Sequence, residues 1–91
     1  MAKVTSGTLD ANDETFVVSV SPGQKAKVRL DISSTITVTA TENGAAFTKA
    51  DGTTAAAWTA SEVIGIQLPG IYTFTASGVS GGSCDWEAVV Y

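Results

Sequence analysis

The segment Lys25–Ile32 limits the possible folds of this chain more than any other. Ala26, Val28, Leu30 and Ile32 alternate there with Lys25, Lys27, Arg29 and Asp31. A period of two places successive side chains on opposite faces of an extended backbone. One face is therefore meant for a core and the other for water, as in an antiparallel sheet covered on a single side. The same period recurs along the chain. Phe16, Val18 and Val20 alternate with Val17 and Ser19, and Ile36, Val38 and Ala40 with Thr35, Thr37, Thr39 and Thr41. Ile64, Ile66 and Leu68 fall on one face. Tyr72, Phe74 and Ala76 point inward against Thr73, Thr75 and Ser77, and Cys84, Trp86, Ala88 and Val90 oppose Asp85, Glu87, Val89 and Tyr91.

Turn chemistry divides these runs. Ser21-Pro22-Gly23-Gln24, Asn43-Gly44, Asp51-Gly52 and Pro69-Gly70 carry residues that tolerate positive φ or preset a turn. Ser33-Ser34 breaks the alternation, and Gly78-Val79-Ser80-Gly81-Gly82-Ser83 reads as a flexible loop. Within residues 45–61, Ala46–Thr48 reads as a short strand, and Thr53–Ala60 as a helical turn or, in preference, a long loop with a further short strand. About seven short strands with a turn signal roughly every ten residues predict an all-β chain. The expected architecture is a single small antiparallel β-sandwich, Ig-like or jelly-roll-like. Residues 1–13, where Val4 and Leu9 are isolated apolar positions, read as an N-terminal arm or edge strand, and residues 14–91 as the sandwich domain.

The chain has 91 residues, which makes one domain near the small end of what folds on a hydrophobic core alone. Edges and apolar patches covered by copies or partners would add stability, so a homo-oligomer is expected. The net charge of −4 argues against nucleic acid, whose binding relies on Lys and Arg displacing counterions. Lys25, Lys27 and Arg29 share their strand face with Asp31 and read as a solvated face. The segment Met1–Ser6 lacks the apolar core of a signal peptide, and no stretch approaches a membrane span. The expectation is a protein made in a cytoplasm, leaving it, if at all, by lysis or a dedicated secretion machine, with no membrane partner.

Residues that perform chemistry are scarce. There is no His and only one Cys, Cys84. Nucleophilic catalysis lacks its usual base and soft metals lack ligands, so no catalytic, cofactor or metal residue is assigned. Cys84 reads as a small apolar core residue. Asp85 and Glu87 share a strand face, but alternating acids on an exposed face of a small sandwich read as solubilising groups. Asp10-Ala11-Asn12-Asp13-Glu14 bunches hard oxygen donors in a loop. That leaves calcium open, beside a polar loop that keeps an edge strand soluble. Tyr72, Phe74 and Trp86 are expected in the core. Trp58 and Tyr91 lie outside the inward pattern and allow two readings. They are an exposed platform for sugar stacking or protein contact, or Trp58 folds over the open end of the sandwich.

The stretch Glu62-Val63-Ile64-Gly65-Ile66-Gln67-Leu68-Pro69-Gly70-Ile71-Tyr72-Thr73-Phe74-Thr75-Ala76-Ser77-Gly78 joins a strand, a Pro-Gly turn and a Tyr-x-Phe strand. With the acidic, His-free, Thr/Ala/Gly-rich character of the whole chain, it resembles the small all-β virion structural proteins of tailed bacteriophages, and capsid decoration (cement) proteins most closely. The resemblance implies a non-enzymatic protein of the virion, without a cofactor, that binds and stabilises an assembled shell of major capsid or other virion protein, often as an oligomer. The expected contact residues are Val4, Leu9, Thr35, Thr37, Thr39, Trp58, Val89 and Tyr91, with Thr41 completing the uncharged Thr stripe. The alternative expectation is a carbohydrate-binding β-sandwich module using exposed aromatics.

Overall fold

The alternating segments pair into antiparallel strands throughout the computed structural model, which describes residues 2–49 and 51–91. The strands are β1 (Lys3–Leu9), β2 (Thr15–Val20), β3 (Ala26–Glu42), β4 (Ala45–Ala46), β5 (Ala57–Trp58), β6 (Glu62–Ile66) and β7 (Gly70–Val90). Among the described residues there is no helix, and so none long and apolar enough to cross a membrane.

Two of these strands are much longer than the alternation predicts. β3 has 17 residues and β7 has 21, and they pair with each other from Ala26↔Val90 to Glu42↔Tyr72. The Ser33-Ser34 break and the Gly78–Ser83 loop expected from sequence are both corrected. Each is strand, and the two lie opposite one another at a shift in register, where Thr35 faces both Gly81 and Ser80. Such a bulge bends and twists a ribbon without ending it. Ser34 takes a φ of 63° and Gly81 one of 72°, and a side chain on Gly82 would overlap the Thr35 carbonyl. Glycine is required there because the two backbones are pressed together.

The bend folds the β3–β7 ribbon over itself and gives the molecule two layers. In the first, the strand order is β1–β7–β3–β6, using Ala26–Ser33 of β3 and Ser83–Val90 of β7. In the second, β2 pairs with Gly70–Thr75 of β7, while β4 and β5 pair with the far half of β3. The thinnest dimension is 19 Å, which accommodates two sheets about 10 Å apart with their outer side chains. The fold is the small antiparallel β-sandwich expected, with both layers built on one continuous ribbon.

Inward residues of both layers form a single core of Phe16, Val18, Val20, Val28, Leu30, Ile36, Val38, Tyr72, Phe74, Cys84 and their neighbours, and among the described residues no polar or charged one is fully buried. Aromatic rings run through it in sequence. Trp86 of the first layer stacks on Phe16 of the second at 3.9 Å, Phe16 on Phe74 at 4.6 Å, and Trp58 lies against Phe74 at 5.9 Å. Each such pair adds about 0.5–1.5 kcal/mol beyond area burial, so this stack ties the layers together. Burial raises the Cys84 thiol above its ordinary pKa, with smaller effects from Asp85 and Asp31. The thiol is therefore protonated at neutral pH.

Candidate functional site

The two outer faces of the sandwich differ in kind. On the first layer, register aligns Ser6, Glu87, Arg29 and Val63 in one row across four strands, with Thr8, Asp85 and Asp31 in the next. With Lys27 beside Val89, this face carries both signs of charge interspersed with hydroxyls. Thr8 donates a 2.8 Å hydrogen bond to Asp85. Asp85 and Glu87 thus sit among cations and hydroxyls on an open sheet.

On the second layer, Thr15, Thr75, Thr39 and Ala57 form one row, and Val17, Thr73, Thr41 and Ala46 the next. Thr37 pairs with Ser77, and Ser19 with Ile71. No outward position on these paired strands is charged. Neighbouring strands set the hydroxyls about 4.8 Å apart across the sheet and about 6.7 Å apart along it. Each Thr offers a methyl and a hydroxyl that both donates and accepts, on a side chain whose β-branching already restricts its rotamers. A partner settling here strips water from no charge and immobilises little. Charged side chains are what the buried centres of protein interfaces avoid.

Of the contact residues expected from sequence, Thr35, Thr37 and Thr39 lie on this uncharged face, Thr35 at its bulged end. Val4 and Val89 are registered neighbours, and Tyr91 follows two residues on, but all three belong to the opposite, first-layer face. Leu9 and Trp58 are corrected. Leu9 is 2% exposed and Trp58 4%, so neither offers a surface to a partner. Leu9 turns inward at the end of β1 and anchors it to the core. Trp58 pairs with Val38, packs on Phe74, and donates its Nε1 proton to Glu62 Oε2 at 2.7 Å. Trp58 and Tyr91 thus form no common platform for a sugar. Ala56 and Trp58, two residues apart and both buried, were the signal of a short inward-facing strand. Thr15, Thr73 and Thr75 joined the site only through pairing with residues far along the chain.

The acidic loop is occupied with its own backbone. Glu14 Oε1 accepts the amides of Asp10 and Ala11, both at 2.8 Å, and Asn12 accepts the Val79 amide at 2.9 Å. Asp13 has a φ of 71°. Those backbone bonds lower the Glu14 pKa, while the hydrogen bond and charge of Glu14 raise that of Asp10. Among the described residues, no three acidic, Cys or His side chains converge as a metal site would require.

A cleft opens on the side of the sandwich between β6 and residues 47–49, 51 and 58, with a volume of about 490 Å³ and walls that include Phe47, Trp58, Tyr72 and Leu68. Tyr72 donates its hydroxyl to the Leu68 carbonyl at 2.8 Å, and its pKa is raised by burial and then by Glu42. Leu68, expected inward with Ile64 and Ile66, is instead 63% exposed at the cleft rim, because β6 ends at Ile66.

Comparison with known proteins returns no match for this chain, whether among protein-family models, curated proteins or solved structures.

Proposed function

We propose that this chain is a non-enzymatic structural protein of a bacteriophage virion. In this reading it decorates an assembled shell and grips it with the uncharged Thr face of the second layer and the strand edges beside it. The observation that carries the reading is the division of charge. The outward positions of Thr15–Ser19, Thr35–Thr41 and Ile71–Ser77 are free of charge in a chain of net charge −4. A face without charges is a poor solvent boundary and a good dry contact. Many copies, each making a modest contact, bind a repetitive shell by avidity.

The test is co-sedimentation of the purified protein with shells of the phage whose genome encodes it, alongside light scattering to give its own mass. Introducing charge at the centre of the face, with Thr39→Lys and Thr75→Lys together, is expected to weaken shell binding by ~10-fold or more, since like or unpaired charge at a dry contact costs at least about 1.4 kcal/mol. Arg29→Thr on the opposite face is expected to leave binding unchanged. Wild-type protein that stays in the supernatant at every concentration would sink the reading, as would equal loss from both variants.

A further inference from the structure

The cleft beside β6 is shaped for something other than a shell face. Its wall contains every residue from Glu62 to Leu68 in unbroken succession. Alternate residues of a strand lie on opposite faces, so a surface touching all of them runs along the strand's edge. β6 pairs with β3 on one side only, and among the described residues it has no second strand partner. The cleft therefore presents unpaired backbone donors and acceptors along one wall. The opposite wall is apolar and aromatic: it includes Trp58, and Phe47 set edge to face against Tyr72 at 5.3 Å.

The polar groups around it are lopsided. Glu42, Asp51 and Glu62 face the cleft against one cation among the described residues, Lys49. The Lys49 ammonium lies 5.8 Å from the centre of the Trp58 ring, within the range of a cation–π contact. The chain itself thus shows that this wall accepts a cation resting on an aromatic face. An open strand edge, a wall of aromatic rings and a surplus of carboxylates together describe the occupant, because strand addition takes affinity from the backbone and specificity from alternate side chains.

We propose that this cleft is a docking site for an extended segment of a partner protein that alternates apolar residues with Lys or Arg. Its backbone pairs with the free edge of β6. The basic row turns to the inward side of β6, toward Glu42 and Glu62, and the apolar row turns outward beside Val63, which is 56% exposed. The site is separate from the Thr face and independent of the shell-binding reading.

Isothermal titration of the wild-type protein tests this with three blocked synthetic heptapeptides. The first alternates Val and Lys, the second Val and Glu, and the third is the Val/Lys peptide methylated on the backbone nitrogens of alternate residues, made in both registers. The Val/Lys peptide is expected to bind, the Val/Glu peptide to bind at least ~10-fold more weakly, and one methylated register to lose binding, since it cannot donate to β6. Glu42→Gln with Glu62→Gln is expected to weaken the Val/Lys peptide by ~10-fold, while the amide oxygen introduced by Glu62→Gln can still accept the Trp58 proton. The proposal is overturned if the Val/Lys peptide does not bind, if charge makes no difference, or if both methylated peptides bind as well as the parent. It is likewise overturned if the double variant changes the mass of the protein in solution, which would make a second copy the occupant.

Discussion

The first-layer face and the second-layer face are built on the same two strands, yet one is charged and the other is not. Along β3 the outward residues change from Lys27, Arg29 and Asp31 to Thr35, Thr37, Thr39 and Thr41 at the bend, and along β7 from Thr73, Thr75 and Ser77 to Asp85, Glu87 and Val89. Inward residues stay apolar throughout. Because side-chain direction alternates strictly, a sequence can alter one face of a ribbon without touching the other. The core thus needs only its inward set, and the outward set is free for solubility in one layer and for contact in the other.

The strongest way to break the comparison is to remove the bend that separates the faces. Gly82→Ala places a methyl group against the Thr35 carbonyl, and the backbone there cannot yield without losing the β3–β7 pairing. Overpacking of this kind is expected to cost about 3 kcal/mol or more, a large share of the stability of so small a domain. Urea titration followed by circular dichroism measures it. A midpoint unchanged from wild type would mean that the crossing is not tight.

Exchanging character between the faces is expected to do far less to the fold. Thr39→Lys and Arg29→Thr each change an outward side chain over a core they do not enter, and each is expected to shift unfolding free energy by under ~0.5 kcal/mol. If Thr39→Lys alone destabilised the chain strongly, the Thr face would be part of folding and the distinction between the layers would blur.

Acid is expected to act on stability through the turns between strands, where backbone amides bind carboxylates. Glu14 is held below its ordinary value of 4.5 by the Asp10 and Ala11 amides, and Asp51 below 3.8 by those of Thr53 and Thr54. Carboxylates lowered on folding add stability that is present above their unfolded values and lost as pH falls through the folded ones. Asp10, raised by Glu14, has the opposite sign: its contribution is complete below its unfolded value and declines as pH rises through the folded one. All three groups are solvent-exposed, so the effect is the smallest of the set. A modest fall in melting temperature is expected below about pH 4.5, reduced in Glu14→Gln and Asp51→Asn. A pH profile identical to wild type in both variants would show that these turns do not contribute.

The inward set was legible in sequence because period two is a local signal, and nearly every residue it named from Phe16 to Ala88 is buried or half-buried. The bend was not, because Ser and Gly at a bulge have the composition of a loop, and only the partner strand reveals that the backbone stays paired. Trp58 escaped because its strand is two residues long, and Leu68 because alternation continued past the end of pairing. The Thr stripe of β3 was visible, but its extension across Thr73, Thr75 and Thr15 depended on registers between distant segments. A face is a property of pairing, and pairing in this chain is almost entirely non-local.

One consequence of the shared ribbon concerns the order of events during synthesis. β7 is the last strand in chain order, yet β1 and β2 pair with nothing else among the described residues, and Ala26 must find Val90 across more than sixty residues. Until β7 emerges from the ribosome, the first two strands have no hydrogen-bonding partner and the core lacks Tyr72, Phe74, Cys84 and Trp86. Closing so long a loop is slow compared with local pairing. The sandwich is therefore assembled after translation of its final strand, in one late step that completes both layers together.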